Sequence, residues 1–356
     1  MSLRIRDISL TNFRSYDRFT IEGLEDLTIF FGPNAVGKTN IIEAIQLLTA
    51  LTSFRKATSH ELVKQGKQEA SISAKITDGN RLLDIDLLFM EGKRRYQLNG
   101  KGRSIKSLKG LIPSISFSPE DLSLVKGSDS HRRQEVDLIG SQVNANYYQI
   151  MRDFEKILKH RNKLLKEEAS ESLLDSLTDI FDTVGTQLAA YRKALLGRMT
   201  PFIVDAYANI SNGERLEVIY ASSWEERIGL SEQLSASRAQ ERARKVTLIG
   251  PHRDHIIFKI DDMDAISFAS QGQQRSIVLA VKMAEVKLIE EMLDQKPILL
   301  LDDVMSELDS ARRDAMVKKL LPQTQTFITT ANLDYFDEEM IKNARIIDIK
   351  KEYLGT

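Results

Sequence analysis

Gly32-Pro33-Asn34-Ala35-Val36-Gly37-Lys38-Thr39 decides how this chain is read. The stretch has the spacing G-x-x-x-x-G-K-T. It follows Leu27-Thr28-Ile29-Phe30-Phe31, which reads as a buried strand, and precedes Ile41, Ile42, Ala44, Ile45, Leu47 and Leu48, which keep an apolar face at helical spacing. A strand, a glycine loop and a helix in that order make a phosphate cradle. The glycines let the backbone curl so that its N–H groups face an anion, and the helix N-terminus adds positive potential. Lys38 then reaches the outer phosphates and the Thr39 hydroxyl can ligate Mg²⁺. An ordinary glycine turn is the competing explanation. At usual residue frequencies a chance match in a chain of this length is on the order of one per cent.

Ile298-Leu299-Leu300-Leu301-Asp302-Asp303 is an apolar strand ending in two carboxylates. Inside a core that pair is costly, so the strand is expected to emerge at a polar site. A magnesium site meets the need, with Asp302 as ligand and Asp303 orienting or deprotonating an attacking water. The alternative is an Asp pair that opens a loop and caps the next helix. Between the two motifs, Ser267-Phe268-Ala269-Ser270-Gln271-Gly272-Gln273-Gln274-Arg275 leads into an apolar helix from Ile277 to Leu293. Ser270 is placed as its N-cap, which makes either a second anion site or simply a capped buried helix.

The 356 residues suffice for two domains, or for one large domain with an insertion. With 50 Lys plus Arg against 51 Asp plus Glu, the chain is not basic overall, so any nucleic-acid contact is a local patch. The absence of Cys excludes disulfide scaffolds, Cys-based zinc sites, iron–sulfur clusters and thiol catalysis, and the five His lack metal spacing. No apolar run approaches the ~20 residues that span a bilayer, and the N-terminus has no signal-peptide core, so a cytoplasmic protein is expected.

Leu3 to Leu10 reads as a strand. Residues 70 to 100 read as antiparallel strands, Leu83, Ile85 and Leu87 alternating with Asp84 and Asp86, with a turn at Asn99-Gly100. From about His131 to Arg244 the apolar period becomes helical. Val143, Tyr147, Ile150, Phe154, Ile157 and Leu164 form one face, and Leu174, Leu177, Phe181, Val184, Leu188, Tyr191 and Leu195 another. The polar residues Lys166 to Glu171 between them predict a short antiparallel hairpin of helices, about 45 Å long for ~30 residues. The expected organisation is an N-terminal α/β part with the phosphate loop (1–125), a helical lobe (126–245) and a C-terminal α/β part with the Asp pair (246–356).

Residues 92 to 119 hold Lys93, Arg94, Arg95, Lys101, Arg103, Lys106 and Lys109 with no acidic residue and with Tyr96 interleaved. This is either a contact for a nucleic-acid backbone or a solvated hairpin. Arg192, Lys193 and Arg198 of the helical lobe are the alternative basic set. His252 and Arg253, after a Gly-Pro turn, line either an interface or a structural polar network.

The order of phosphate loop, Ser270-Gln271-Gly272-Gln273, Asp302-Asp303 and Ser306-Glu307-Leu308-Asp309 resembles the Walker A, signature, Walker B and D-loop segments of ABC-type ATPases. In detail, Leu10-Thr11-Asn12-Phe13-Arg14-Ser15-Tyr16, Phe117-Ser118-Pro119-Glu120-Asp121, Lys126-Gly127-Ser128 with Arg132-Arg133, Gly250-Pro251-His252-Arg253-Asp254 and Leu301 to Asp309 resemble the RecF family of bacterial recombination mediators, over essentially the whole chain.

The resemblance implies an α/β ABC-type head like that of SMC proteins, a mixed sheet plus antiparallel strands with an inserted helical lobe. It also implies ATP and Mg²⁺ as cofactors, ATP-dependent homodimerisation, slow DNA-stimulated hydrolysis, DNA binding, and work in gap repair with RecO and RecR near the nucleoid. Carried onto this sequence, Gly32, Pro33, Asn34, Ala35, Val36, Gly37, Lys38, Thr39 and Asn40 hold the nucleotide, with Ser270, Gly272, Gln273 and Asp309. Thr39 and Asp302 hold the metal, and Asp303 with Lys38 carries the chemistry. Lys93, Arg94, Arg95, Lys101 and Arg103 are the candidate DNA contacts. His255 stands where the family has Asp, the switch segment Thr329-Thr330-Ala331-Asn332 has no His, and the Q-loop position has no Gln. A transporter ATPase subunit shares the three motifs, but here about 230 residues and a helical lobe separate Thr39 from Ser270. A GTPase would need an N-K-x-D motif, which is absent.

Overall fold

The structure, a computed structural model, describes residues 2–211, 213–320 and 324–354. Two compact units are present: Met1–Leu122 with Glu285–Thr356, and Ser123–Ala284.

In chain order the first unit begins with β1 (Arg4–Phe13), β2 (Tyr16–Ile21), β3 (Leu27–Phe31), β4 (Ala70–Thr77), β5 (Leu82–Met90), β6 (Lys93–Leu98), β7 (Lys101–Arg103) and β8 (Ser114–Phe117). Six of these make an antiparallel sheet in the order β2-β1-β4-β5-β6-β7. Alternation decides its faces: Ile85, Leu87 and Phe89 are buried, while Asp84 and Asp86 lie on the other side. In β1 the alternation breaks, because Ile5 and Ile8 are both buried although three residues apart. A register shift between Ile5 and Asp7 supplies the extra residue that returns Ile8 to the core. Asn99 and Gly100 both have positive φ, as the two-residue turn joining β6 to β7 requires.

The second unit follows. The helices Ala145–Lys166 and Glu171–Ala208 form the expected hairpin, with Phe154 on Phe181 (5.1 Å between ring centres) and Tyr147 on Tyr191 (5.8 Å), an antiparallel pairing. At 38 residues the second helix exceeds the expected length. The unit is also longer than a helical lobe of 126–245, because β9 (Leu216–Ala221), β10 (His255–Ile260) and β11 (Met263–Asp264) close a three-stranded sheet within it. Arg161 and Glu241, both fully buried, pair at 2.6 Å and tie the hairpin to the helix Leu230–Arg244. Such a pair must keep both partners, since one charge alone in that core would be strongly destabilising.

The chain returns to the first unit with β12 (Ile298–Asp302), β13 (Thr326–Thr330) and β14 (Arg345–Asp348). The order β14-β3-β13-β12-β8 is parallel throughout. Its central strands are buried along their whole length, which explains the unbroken apolar run of β12. In such sheets ligands bind beyond the carboxyl ends of the strands, and this is where β3, β12 and β13 deliver their loops. Among the described residues no helix is long and apolar enough to cross a membrane.

Candidate phosphate and cation site

β3 ends at Phe31, and the helix Lys38–Thr49 begins after the intervening residues 32–37. The intervening loop turns on Gly32 (φ 154°), Ala35 (φ 66°) and Gly37 (φ 109°). A Cβ at Gly37 would lie 2.7 Å from Tyr16 Oη, so sterics and φ both require glycine there. Pro33, Asn34 and Ala35 are exposed at the tip, whereas Lys38 is buried. Its ammonium donates to the carbonyls of Gly32 (2.7 Å) and Pro33 (2.9 Å). Burial holds the Lys38 pKa below the ordinary lysine value, with Asp303 and Asp302 opposing the shift. Alternating backbone hand followed by a helix N-terminus is the geometry that receives a phosphate.

The second half of the site comes from β12. Asp302, buried, accepts from Thr39 Oγ1 (2.9 Å) and from Thr329 Oγ1 (2.7 Å), both at Oδ1. Asp303 has φ 53°, and its N–H donates to the Thr329 carbonyl (3.2 Å) and hydroxyl (2.9 Å). The left-handed backbone re-aims the chain where the strand stops, so Asp303 is not an ordinary helix cap. Burial raises the pKa of both carboxyls above the usual range. A hydroxyl and a carboxylate side by side are hard oxygen donors, the set a divalent cation such as Mg²⁺ takes. The residues present fit such an ion, with Thr39 and Asp302 as its holders.

Glu43, Ser53 and Arg55 were not singled out from the sequence. Glu43, fully buried on the loop helix, accepts two bonds from Arg14 (2.9 Å each), one from Ser53 (2.5 Å), and pairs with Arg55 (3.8 Å). Arg55 also donates to Asn40 Oδ1 (3.0 Å), and Asn40 Nδ2 donates to Ser15 Oγ (3.0 Å). Asn40 therefore braces the loop through its neighbours. A carboxylate inside the run Ile41-Ile42-Glu43-Ala44-Ile45 was the available signal. Thr329 is the part of the switch segment that reaches Asp302.

Asp309 accepts from the Arg312 N–H (3.0 Å) and caps the helix Ser310–Lys319. In the second unit, Ser270 Oγ accepts from Gln273 N–H (3.2 Å) while Gln273 Oε1 accepts from Ser270 N–H (2.7 Å), a reciprocal capping box on the helix Gln271–Leu293. Gln273 also donates to Glu214 (2.8 Å), so its amide is engaged in holding the helix start, leaving Ser270 exposed and Gly272 half-buried.

The basic run is not one patch. Lys93 and Arg95 lie on the outer face of the antiparallel sheet, whereas Arg94 faces inward and donates to Ala57 O (2.6 Å). Lys101 and Arg103 pair with Leu98 and Tyr96 and so belong to the opposite face from Arg95. Tyr96 is buried, its hydroxyl on Leu47 O (3.0 Å), and is not a stacking platform. Lys109 points inside, onto Ala50 O (2.8 Å), with its pKa pushed down to about 8 by burial. In the alternative set Arg192 is buried on Asp137 (2.7 Å), whereas Lys193, beside Glu226 (2.7 Å), and Arg198 are exposed. His252 lies between Phe154 and Phe181, its Nε2 on Thr247 O (3.0 Å), in a structural network.

The family model described as RecF/RecN/SMC N terminal domain matches residues 4–353. The chain belongs to this family. It is 33% identical to the DNA replication and repair protein RecF of Lactobacillus johnsonii, covering 99% of both chains, and 36% identical to that of Lactobacillus delbrueckii subsp. bulgaricus, covering 95% and 93%. A solved structure of the recombination mediator protein RecF-ATPrS in the RecFOR pathway superposes with a TM-score of 0.87 at 31% identity over 94% of each chain. The fold is thus that of an ABC-type ATPase head with an inserted helical lobe, as the RecF family and SMC heads have it.

Proposed function

We propose that this RecF-family chain is an ATP-dependent DNA-binding protein of replication and recombinational repair. The observation that carries the reading is the joining of Lys38, Thr39, Asp302 and Asp303 at the carboxyl ends of β3 and β12. Lys38 and the loop N–H groups would balance the triphosphate, and Thr39 and Asp302 would hold Mg²⁺, which when bound supplies charge neutralisation of the phosphates. Asp303, its carboxyl raised by burial and set beside Lys38, would orient the attacking water and take its proton. Ser270, capping an apolar helix in the second unit, would meet the triphosphate held by a second copy, so that ATP makes a homodimer and slow hydrolysis releases it. The names of the relatives support repair as the setting and RecO and RecR as partners.

Sedimentation of the Asp303→Asn protein with ATP and duplex or gapped DNA tests this. The expected result is a dimer that binds DNA only with ATP. A monomer at saturating ATP overturns the dimer, and unchanged DNA affinity with and without ATP overturns the switch.

A further inference from the structure

Tyr16 is fully buried, and among the described residues its hydroxyl has no hydrogen-bond partner. A buried hydroxyl without a partner carries a desolvation cost, and such groups are few in folded proteins. This one is aimed at the phosphate loop, 2.7 Å from where a Cβ of Gly37 would stand. Its ring is not available for stacking on a base, because Phe19 covers one face (4.8 Å, stacked) and Tyr353 meets it edge-on (4.8 Å).

Tyr353 comes from the C-terminal turn Ile349–Leu354, which follows β14, the strand beside β3. Its hydroxyl accepts from Asp17 N–H (3.1 Å) and donates to Ser15 O (3.2 Å), while Ser15 Oγ holds Asn40 at the start of the loop helix. The same turn closes on the other end of the loop, where a Cβ at Gly32 would meet Ile349 at 3.9 Å and the Lys350 nitrogen at 4.0 Å. The turn thus lies against the phosphate loop at both its glycines, beside Gly32 and, through Tyr16, beside Gly37.

We propose that Ile349–Leu354 is a clasp on the nucleotide loop, in which Tyr353 fixes Tyr16 so that the Tyr16 hydroxyl donates a hydrogen bond to the loop–triphosphate assembly. Tyr16 and Tyr353 are positioning residues, and the inference rests on the reading of this loop as a nucleotide site. A hydroxyl placed there only by packing lowers stability and does nothing for the ligand. A hydroxyl reserved for the assembly lowers stability until the triphosphate is bound and then slows its release.

The experiment uses the full chain and a fluorescent N-methylanthraniloyl-ATP, with release followed by stopped flow and Tm measured with and without the nucleotide. Tyr16→Phe is expected to keep or raise the Tm without nucleotide, yet to speed release about fivefold and shrink the nucleotide-induced rise in Tm. Tyr353→Ala is expected to speed release about tenfold, and Tyr353→Phe, which keeps the ring, by an amount between that of the parent and Ala. Parent-like release from Tyr16→Phe overturns the proposal, whatever Tyr353→Ala does to folding. If parent and Lys38→Ala alike fail to bind the probe, the nucleotide reading itself falls, and the clasp with it.

Discussion

Thr39 Oγ1 donates to Asp302 Oδ1 at 2.9 Å across 263 residues of sequence. The bond joins the end of the phosphate loop to the end of β12, and it puts the two candidate cation donors in contact. Thr39→Ala removes one donor and leaves the loop backbone intact. ATP affinity measured by calorimetry is then expected to lose most of its dependence on Mg²⁺, while affinity in EDTA stays near that of the parent. An Mg²⁺ dependence equal to the parent's would remove Thr39 from the site.

Lys38→Ala is expected to abolish tight ATP binding, because loop N–H groups alone do not balance the triphosphate charge. Asp303 separates two effects. Asn tolerates the left-handed backbone at φ 53°, so Asp303→Asn should fold and bind ATP like the parent while losing hydrolysis. Asp303→Ala should lose hydrolysis and also pay about 1 kcal/mol of backbone strain, read as a lower Tm. Equal Tm values for the two variants would show that the backbone conformation carries no cost.

Glu43→Ala leaves Arg14 and Arg55 without their shared carboxylate beside the loop. Removing one partner of a buried pair costs about 3–5 kcal/mol, and this pair is partly exposed on the Arg side, so a loss of about 2–3 kcal/mol is expected in urea unfolding. A loss under about 0.5 kcal/mol, the range of ordinary surface changes, would argue against a bracing role.

His252 makes stability depend on pH. Burial, opposed by the Thr247 carbonyl, lowers its pKa from 6.5 to about 4. Between those values the unfolded chain binds the proton and the folded chain does not, so stability contributed by this group is present above pH 6.5 and is lost as pH falls toward 4. The loss is about 3–4 kcal/mol at most. Urea midpoints of the parent and His252→Gln, compared from pH 7.5 to 4.5, should converge on acidification. Parallel curves would mean that His252 titrates normally.

For DNA, the two faces of the β6–β7 hairpin can be told apart. Replacing Lys93 and Arg95 by Gln should reduce the log–log salt slope of DNA binding by up to about 0.9 per lost phosphate contact, while Lys101→Gln with Arg103→Gln leaves it unchanged. Arg94→Gln should cost stability alone, since that side chain is bound to Ala57. A slope that changes only with Lys101 and Arg103 would move the contact to the other face.

By itself the chain's order of residues determined the loop, its flanking strand and helix, the helical hairpin, the cap at Ser270 and the carboxylate-ended strand. Each of these is local: glycine conformation, apolar period and capping chemistry act within about ten residues. Tertiary structure decided what the motifs meet. Glu43 became a brace only because Arg14 and the Ser53–Arg55 loop arrive from two segments. The basic run divided between two faces because strands alternate and β7 folds back. The second unit gained its strands from residues 216 to 264, which pair over distances no periodicity encodes. Tyr16 and Tyr353 met because β14 lies beside β3, a parallel pairing that is chosen by burial on both sheet faces and by no short pattern in either segment.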